Sequence, residues 1–162
     1  MSEVVVDTNV WVMPEARDTE PSRVECAEVC RQWLSELRTS NRSLVVDEQW
    51  AIMREYRDNI PKSGFADRLL RELQKQAGRI IWVAIQFESD GQTAILPSAL
   101  GLQNFDPSDR KFVAVALARD PHSPIYNAAD PDWRQHTRLI LAAGLTVVEL
   151  CPNALKYNER SL

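Results

Sequence analysis

The run Val4-Val5-Val6 is apolar at every position and ends in a carboxylate, Asp7, followed by Thr8 and Asn9. A strand with no polar face needs cover on both sides, which is the situation of a parallel sheet between two layers of helices. Open sheets of that kind gather ligands beyond the carboxyl ends of their strands, and the run leaves Asp7 at such an end. Taken alone, Asp7 serves equally well as the cap of the segment that follows.

The rest of the chain alternates short β-rich runs with longer helical stripes. Its spacing predicts a helix over Pro21 to Leu37, a strand at Leu44-Val45-Val46 and a helix from Asp47 to Asn59 that stops before Pro61. An amphipathic helix follows from Ala66 to Ala77, with Leu69, Leu70 and Leu73 on one face. Ile80 to Phe87 has strand composition and Ser89-Asp90-Gly91-Gln92 reads as a turn, after which Ile95-Leu96 either returns as a partner strand or lies in a loop. Helices start near Asp106-Pro107 and Asp130-Pro131, on either side of a strand at Ile125-Tyr126, and Thr146 to Leu150 forms the last strand. The expectation is an α/β fold of three layers, Rossmann-like, with a mostly parallel sheet of about five strands flanked by helices. One domain over residues 1–152 is expected to carry it, with a polar tail over 153–162 that frays.

At 162 residues and 44% hydrophobic content, such a domain buries a core without disulfide or metal staples. No apolar run approaches the roughly 20 residues of a membrane span, and no secretory leader precedes the valines, so a cytoplasmic protein without membrane contact is expected. The net charge of −4 excludes a broad basic surface and leaves room for a local basic rim. Cys26, Cys30 and Cys151 lack the spacing of a secreted scaffold. Cys26 and Cys30 join Trp33, Leu34 and Leu37 in a helical stripe, and no second Cys or His pair completes a zinc site, so buried thiols are expected.

Three further acids stand at positions comparable to Asp7. Glu55 borders the stripe Ile52, Met53, Tyr56 and Ile60, although an exposed Glu beside Arg54 and Arg57 is the ordinary reading of that residue. Asp106 fits an N-cap and Pro107 the first helical position, which puts Asp109 in the first turn on the face of Phe112, Val113 and Ala116. A favourable helix-dipole contact, about 0.3–1 kcal/mol, accounts for Asp109 without any ligand. Asp130-Pro131-Asp132 repeats the device, and either acid suits a metal. All flank strand ends, so the alternating fold can bring them to one sheet edge. Converging carboxylates repel unless a cation neutralises them, and all-oxygen ligation suits Mg²⁺ or Mn²⁺, ions that activate water against a phosphodiester.

With these residues in order, the chain resembles the PIN-domain nuclease family. Val4-Val5-Val6-Asp7-Thr8-Asn9 looks like its first motif, and Val45 to Trp50 leading to Glu55-Tyr56-Arg57 is similar to its second. Asp109 with the helix from Phe112 to Leu117 looks like the third, and Asp130-Pro131-Asp132-Trp133 like the fourth. The resemblance implies divalent-metal-dependent cleavage of RNA leaving a 5′-phosphate and a 3′-hydroxyl, with Asp7, Glu55, Asp109 and Asp130 as the acidic quartet and Asn9 positioning a ligand or water. It further implies a homodimer and, in the VapC-like toxins among its members, a small antitoxin. The family often has Thr or Ser two residues before its fourth acid, where this chain has Ala128, and that departure keeps Asp132 as an alternative ligand. The segment from Ile80 to Asn104 is longer than a compact member needs, consistent with a dimer contact, a substrate flap or simple variation.

Arg110, Lys111, Arg134 and Arg138 suit an RNA backbone beside the centre, and solvated helix faces explain them equally well. Trp11, Trp50, Trp82 and Trp133 suit base stacking, with packing the expectation for most, and no role is assigned to His122 or His136. Two other classes compete: a non-catalytic module of the same fold that binds RNA or a protein, and a haloacid-dehalogenase-like phosphatase, which needs a second Asp where this chain has Asn9.

Overall fold

The computed structural model describes residues 2–154. Five strands, β1 (Glu3–Val6), β2 (Ser43–Asp47), β3 (Ile80–Val83), β4 (Ile125–Asn127) and β5 (Val147–Glu149), form one sheet in the order β3-β2-β1-β4-β5. Every neighbouring pair is parallel, with Val4 beside Leu44 and Val5 beside Ile125. Val4, Val5 and Val6 are fully buried at the centre, as a run without a polar face requires. The architecture is the expected three-layer, Rossmann-like α/β fold, with the sheet parallel throughout.

Seven helices cover the sheet: α1 (Thr8–Val12), α2 (Pro21–Thr39), α3 (Ala51–Asn59), α4 (Phe65–Lys75), α5 (Arg110–Leu117), α6 (Pro131–Gln135) and α7 (Thr137–Ala142). From β1 the chain steps outward to β2 and β3, then returns past β1 to β4 and β5. Right-handed crossovers in opposite directions put their helices on opposite faces. Accordingly α2 meets α4, whereas α5 lies across β1, β2 and β4. The reversal makes the carboxyl ends of β1 and β4 the switch point of the sheet, where a crevice must open.

Several boundaries differ from expectation. Asp47 belongs to β2, and its fully buried carboxylate accepts hydrogen bonds from the amides of Ala51 (2.9 Å) and Ile52 (2.8 Å), so α3 begins four residues later than its sequence pattern. Trp50 fills the intervening turn at φ 71°, in the left-handed region. β3 stops at Val83 instead of Phe87 because Phe87 pairs with Ala94 in an isolated antiparallel bridge. Asp90 closes the expected turn between them by accepting from the amides of Gln92 and Thr93, both at 2.8 Å. Ile95 donates to the Gln86 carbonyl at 2.9 Å and then enters loop.

The expectation of buried thiols at Cys26 and Cys30 holds for Cys30 and is corrected for Cys26. Cys26 of α2 and Cys151, which follows β5, form a disulfide with their Cα atoms 5.4 Å apart, and Cys30 alone is a free buried thiol. The partners are separated by 125 residues, a pairing made by the return of the chain after β5 and invisible to local periodicity. Residues 155–162 of the predicted tail lie outside the described residues.

Candidate metal centre

Asp7 follows β1 directly and is 4% exposed. It caps α1 by accepting the Asn9 amide at 3.2 Å on Oδ1, and its Oδ2 accepts the indole N–H of fully buried Trp133. Both oxygens are therefore held by the elements that follow β1 and β4. Asp130 caps α6 by accepting the Asp132 amide at 2.9 Å. Asp109 closes a short 3-10 turn (Pro107–Asp109), itself capped by Asp106, and leads into α5.

These three carboxylates each offer an oxygen within 4.8 Å of the other two. They line one cavity of about 490 Å³ at the switch point, together with Glu55 and Arg23. Burial pushes the Asp7 carboxyl up to about 7, and the charges of Asp130 and Glu55 add to the rise against the Trp133 hydrogen bond. Asp109 is raised well above the ordinary carboxylate range, first by burial and then by Asp7 and Asp130. Its Oδ2 is buried without a hydrogen-bond partner. A buried, unpartnered carboxylate oxygen beside two further carboxylates is a donor set suited to a hard divalent cation.

Glu55 lies on the wall of the same cavity but outside this triad. One of its oxygens accepts the Lys111 ammonium at 2.9 Å and the other the Thr8 hydroxyl. Lys111 is 4% exposed and also donates to the Ser108 carbonyl. The Asp132 carboxylate accepts the Asp106 amide at 3.0 Å, stands 3.4 Å from His136 Nδ1, and forms with Asp106 a second acidic group that shares Asp109 with the first. The geometry thus brings Asp130, not Asp132, to the triad.

Asn9 does not face the cavity with free polar atoms. Its amide donates to Asn127 at 2.9 Å and accepts from the Ala128 amide at 3.1 Å, and buried Asn127 in turn binds Glu149 (2.7 Å) and the Asp130 carbonyl (2.9 Å). Asn9 is a tie between α1 and the Asp130 turn. The proposed backbone-binding cations divide as well. Lys111 is sequestered, and Arg110 donates to the carbonyls of Gln103 (2.7 Å) and Phe105 (3.0 Å), while Arg134 and Arg138 are exposed.

Trp133, Asn127 and Thr8 carry parts of the site that sequence reasoning did not assign, and Lys111, expected beside an RNA backbone, instead pairs with Glu55. Thr8 beside Asp7 was the nearest available signal; the others depend on contacts across the fold. No known family model matches the chain, and no curated protein matches it.

Proposed function

We propose that the chain is a PIN-like, divalent-metal-dependent endoribonuclease. The observation that carries this reading is the convergence of Asp7, Asp109 and Asp130 within 4.8 Å, with Asp109 Oδ2 buried and unpartnered. A bound Mg²⁺ or Mn²⁺ would supply a nucleophilic water and neutralise charge on the scissile phosphate. Trp133 and the Asn9 amide fix the Asp7 carboxylate, and the Asp132 amide fixes Asp130, so the ligands are oriented before any substrate arrives. Glu55, clamped by Lys111 and Thr8 on the cavity wall, orients groups entering the cavity. Arg23, 3.6 Å from Asp18, places a cation on that wall where a phosphate would pass. The expected products carry a 5′-phosphate and a 3′-hydroxyl.

A homodimer, a small antitoxin and a cytoplasmic setting belong to the same reading. No described helix is long and apolar enough to cross a membrane. The Cys26–Cys151 bond tests the setting, because structural disulfides are rare in reducing cytosol.

Manganese titration by calorimetry, paired with cleavage of single-stranded RNA, tests the function. Binding and cleavage are expected in the native chain and loss of both in Asp7→Asn; a native chain with neither overturns it. Two observations favour a second reading, a non-catalytic module: Lys111 already supplies a buried cation to Glu55, and Ala128 stands where the resemblance leads one to expect a hydroxyl. That module would bind RNA or protein with no metal affinity.

A further inference from the structure

Two of the five tryptophans are displayed and not buried. Trp50 is 40% exposed and Trp82 39%, with ring centroids 4.8 Å apart and planes at 30°. The Arg57 guanidinium lies 5.1 Å over the Trp50 ring. Trp50 adopts φ 71°, a conformation costly for a bulky side chain and natural for Gly or Asn. Packing does not explain that choice, since the indole it presents remains substantially in solvent. Trp82 stands on β3, an edge strand of the sheet.

The pair reaches toward the acidic cavity through Arg57, which lies over Trp50 and lines a groove on that course. Arg54 and Arg57 share a face of α3 at i, i+3 spacing, beside Glu55, and Arg57 reaches back over Trp50. The main cavity shares Glu55 and Asn59 with a groove of about 180 Å³ lined by Arg54, Asp58 and Lys111. That groove shares Asp58 with another of about 400 Å³, where Arg57 and Lys62 lie. Arg54 and Arg57 are both exposed on this course; Glu48 and Asp58 are the exposed acids beside them. One end of the course is fitted to a metal and a phosphate, and the other combines aromatic faces with guanidinium groups.

We propose that Trp50 and Trp82 form a nucleobase-stacking platform, flanked by Arg54 and Arg57 as phosphate contacts, for a single-stranded part of the substrate leaving the acidic cavity along α3. The platform rests on the nuclease reading and deepens it by naming the side chains that hold the bases of a single-stranded substrate. Stacking on aromatic side chains is tolerant of sequence because every base has a π-face.

The test uses the full chain in metal-free buffer, so that binding is read apart from cleavage. Trp11 and Trp133 are fully buried and Trp33 is 9% exposed, so quenching of tryptophan fluorescence reports mainly the displayed pair. The probes are an oligouridylate of about ten nucleotides and an abasic sugar-phosphate oligomer of equal length. The expected result is quenching by the uridylate and roughly tenfold or greater preference for it, lost in Trp82→Thr and in Trp50→Gly, which suits the positive φ. Trp50→Gly keeps the test decisive if Trp82→Thr disturbs β3. Equal affinity for the abasic oligomer overturns the platform. A dimer in sedimentation that dissociates on Trp82→Thr also overturns it, by assigning the rings to a protein contact. Base-dependent binding without cleavage at added manganese would remove the nuclease reading alone, and cleavage without base preference would remove the platform alone.

Discussion

Asp109 concentrates the conflict built into the site, because its carboxylate is buried, lacks a partner on Oδ2 and faces two other acids. Asp109→Asn keeps the shape and removes one charge. It is expected to abolish manganese binding in calorimetry while raising the thermal midpoint of the metal-free protein by a few degrees, equivalent to about 1 kcal/mol. A fall in that midpoint would show that the carboxylate is structural. Lys111→Met is expected to act in the opposite direction, since it leaves Glu55 in the cavity without its cation and the Ser108 carbonyl without its donor. Breaking a buried pair costs about 3–5 kcal/mol, and the 26% exposure of the Glu55 side chain reduces the expectation to about 2–3 kcal/mol in urea unfolding. At this scale Asp7, Asp109 and Asp130 were legible in the sequence because each sits where an apolar element starts or stops. Lys111 was not: beside Arg110 at a helix start it has the appearance of a surface cation, and only the approach of α3 makes it a buried one.

The elements are arranged so that strand ends deliver caps to the helices that follow. Asp47 shows the device most plainly, accepting two α3 amides from a fully buried position at the end of β2. Asp47→Ala is expected to cost about 1–3 kcal/mol in urea unfolding, the cost of a lost cap with buried donors left unsatisfied. Because α3 also carries Glu55 and follows directly on the stacked Trp50, the same change should reduce RNA cleavage without altering the manganese stoichiometry at the triad. The strands themselves were legible from their apolar runs, and their largely parallel pairing from the alternation with helices. Element edges were less so, for a local reason in each case. The β2–α3 boundary turns on a carboxylate reaching forward across a left-handed residue, and the end of β3 on a bridge between Phe87 and Ala94 that competes with further parallel pairing.

At the scale of the whole molecule, two constraints act on the folded state. The Cys26–Cys151 bond closes a loop of 125 residues, and removing it by reductant is expected to lower unfolding stability by about 2–5 kcal/mol, read as a shift in the urea midpoint. The second is electrostatic and has a definite sign. A carboxylate whose folded-state affinity for protons is raised contributes stability that is present below its unfolded value of 3.8 and lost as pH rises through its folded value, which for Asp7 is about 7. Asp109 and Glu149 are shifted in the same direction by burial. Glu3, lowered chiefly by Arg119, acts in the opposite sense, so the contribution of the site is the difference between the native chain and Asp7→Asn. The metal-free native chain should therefore lose stability relative to Asp7→Asn between about pH 4 and pH 7. A divalent cation competes with those protons and binds only the folded triad, adding about 2.7 kcal/mol at a hundredfold excess over its dissociation constant. Thermal melts on either side of this window, with and without manganese, should show the metal-free midpoint falling toward neutrality and the manganese-bound midpoint recovering there. A metal-free difference that is flat with pH would mean that the three carboxylates share no buried charge, and the proposed centre would lose its physical basis.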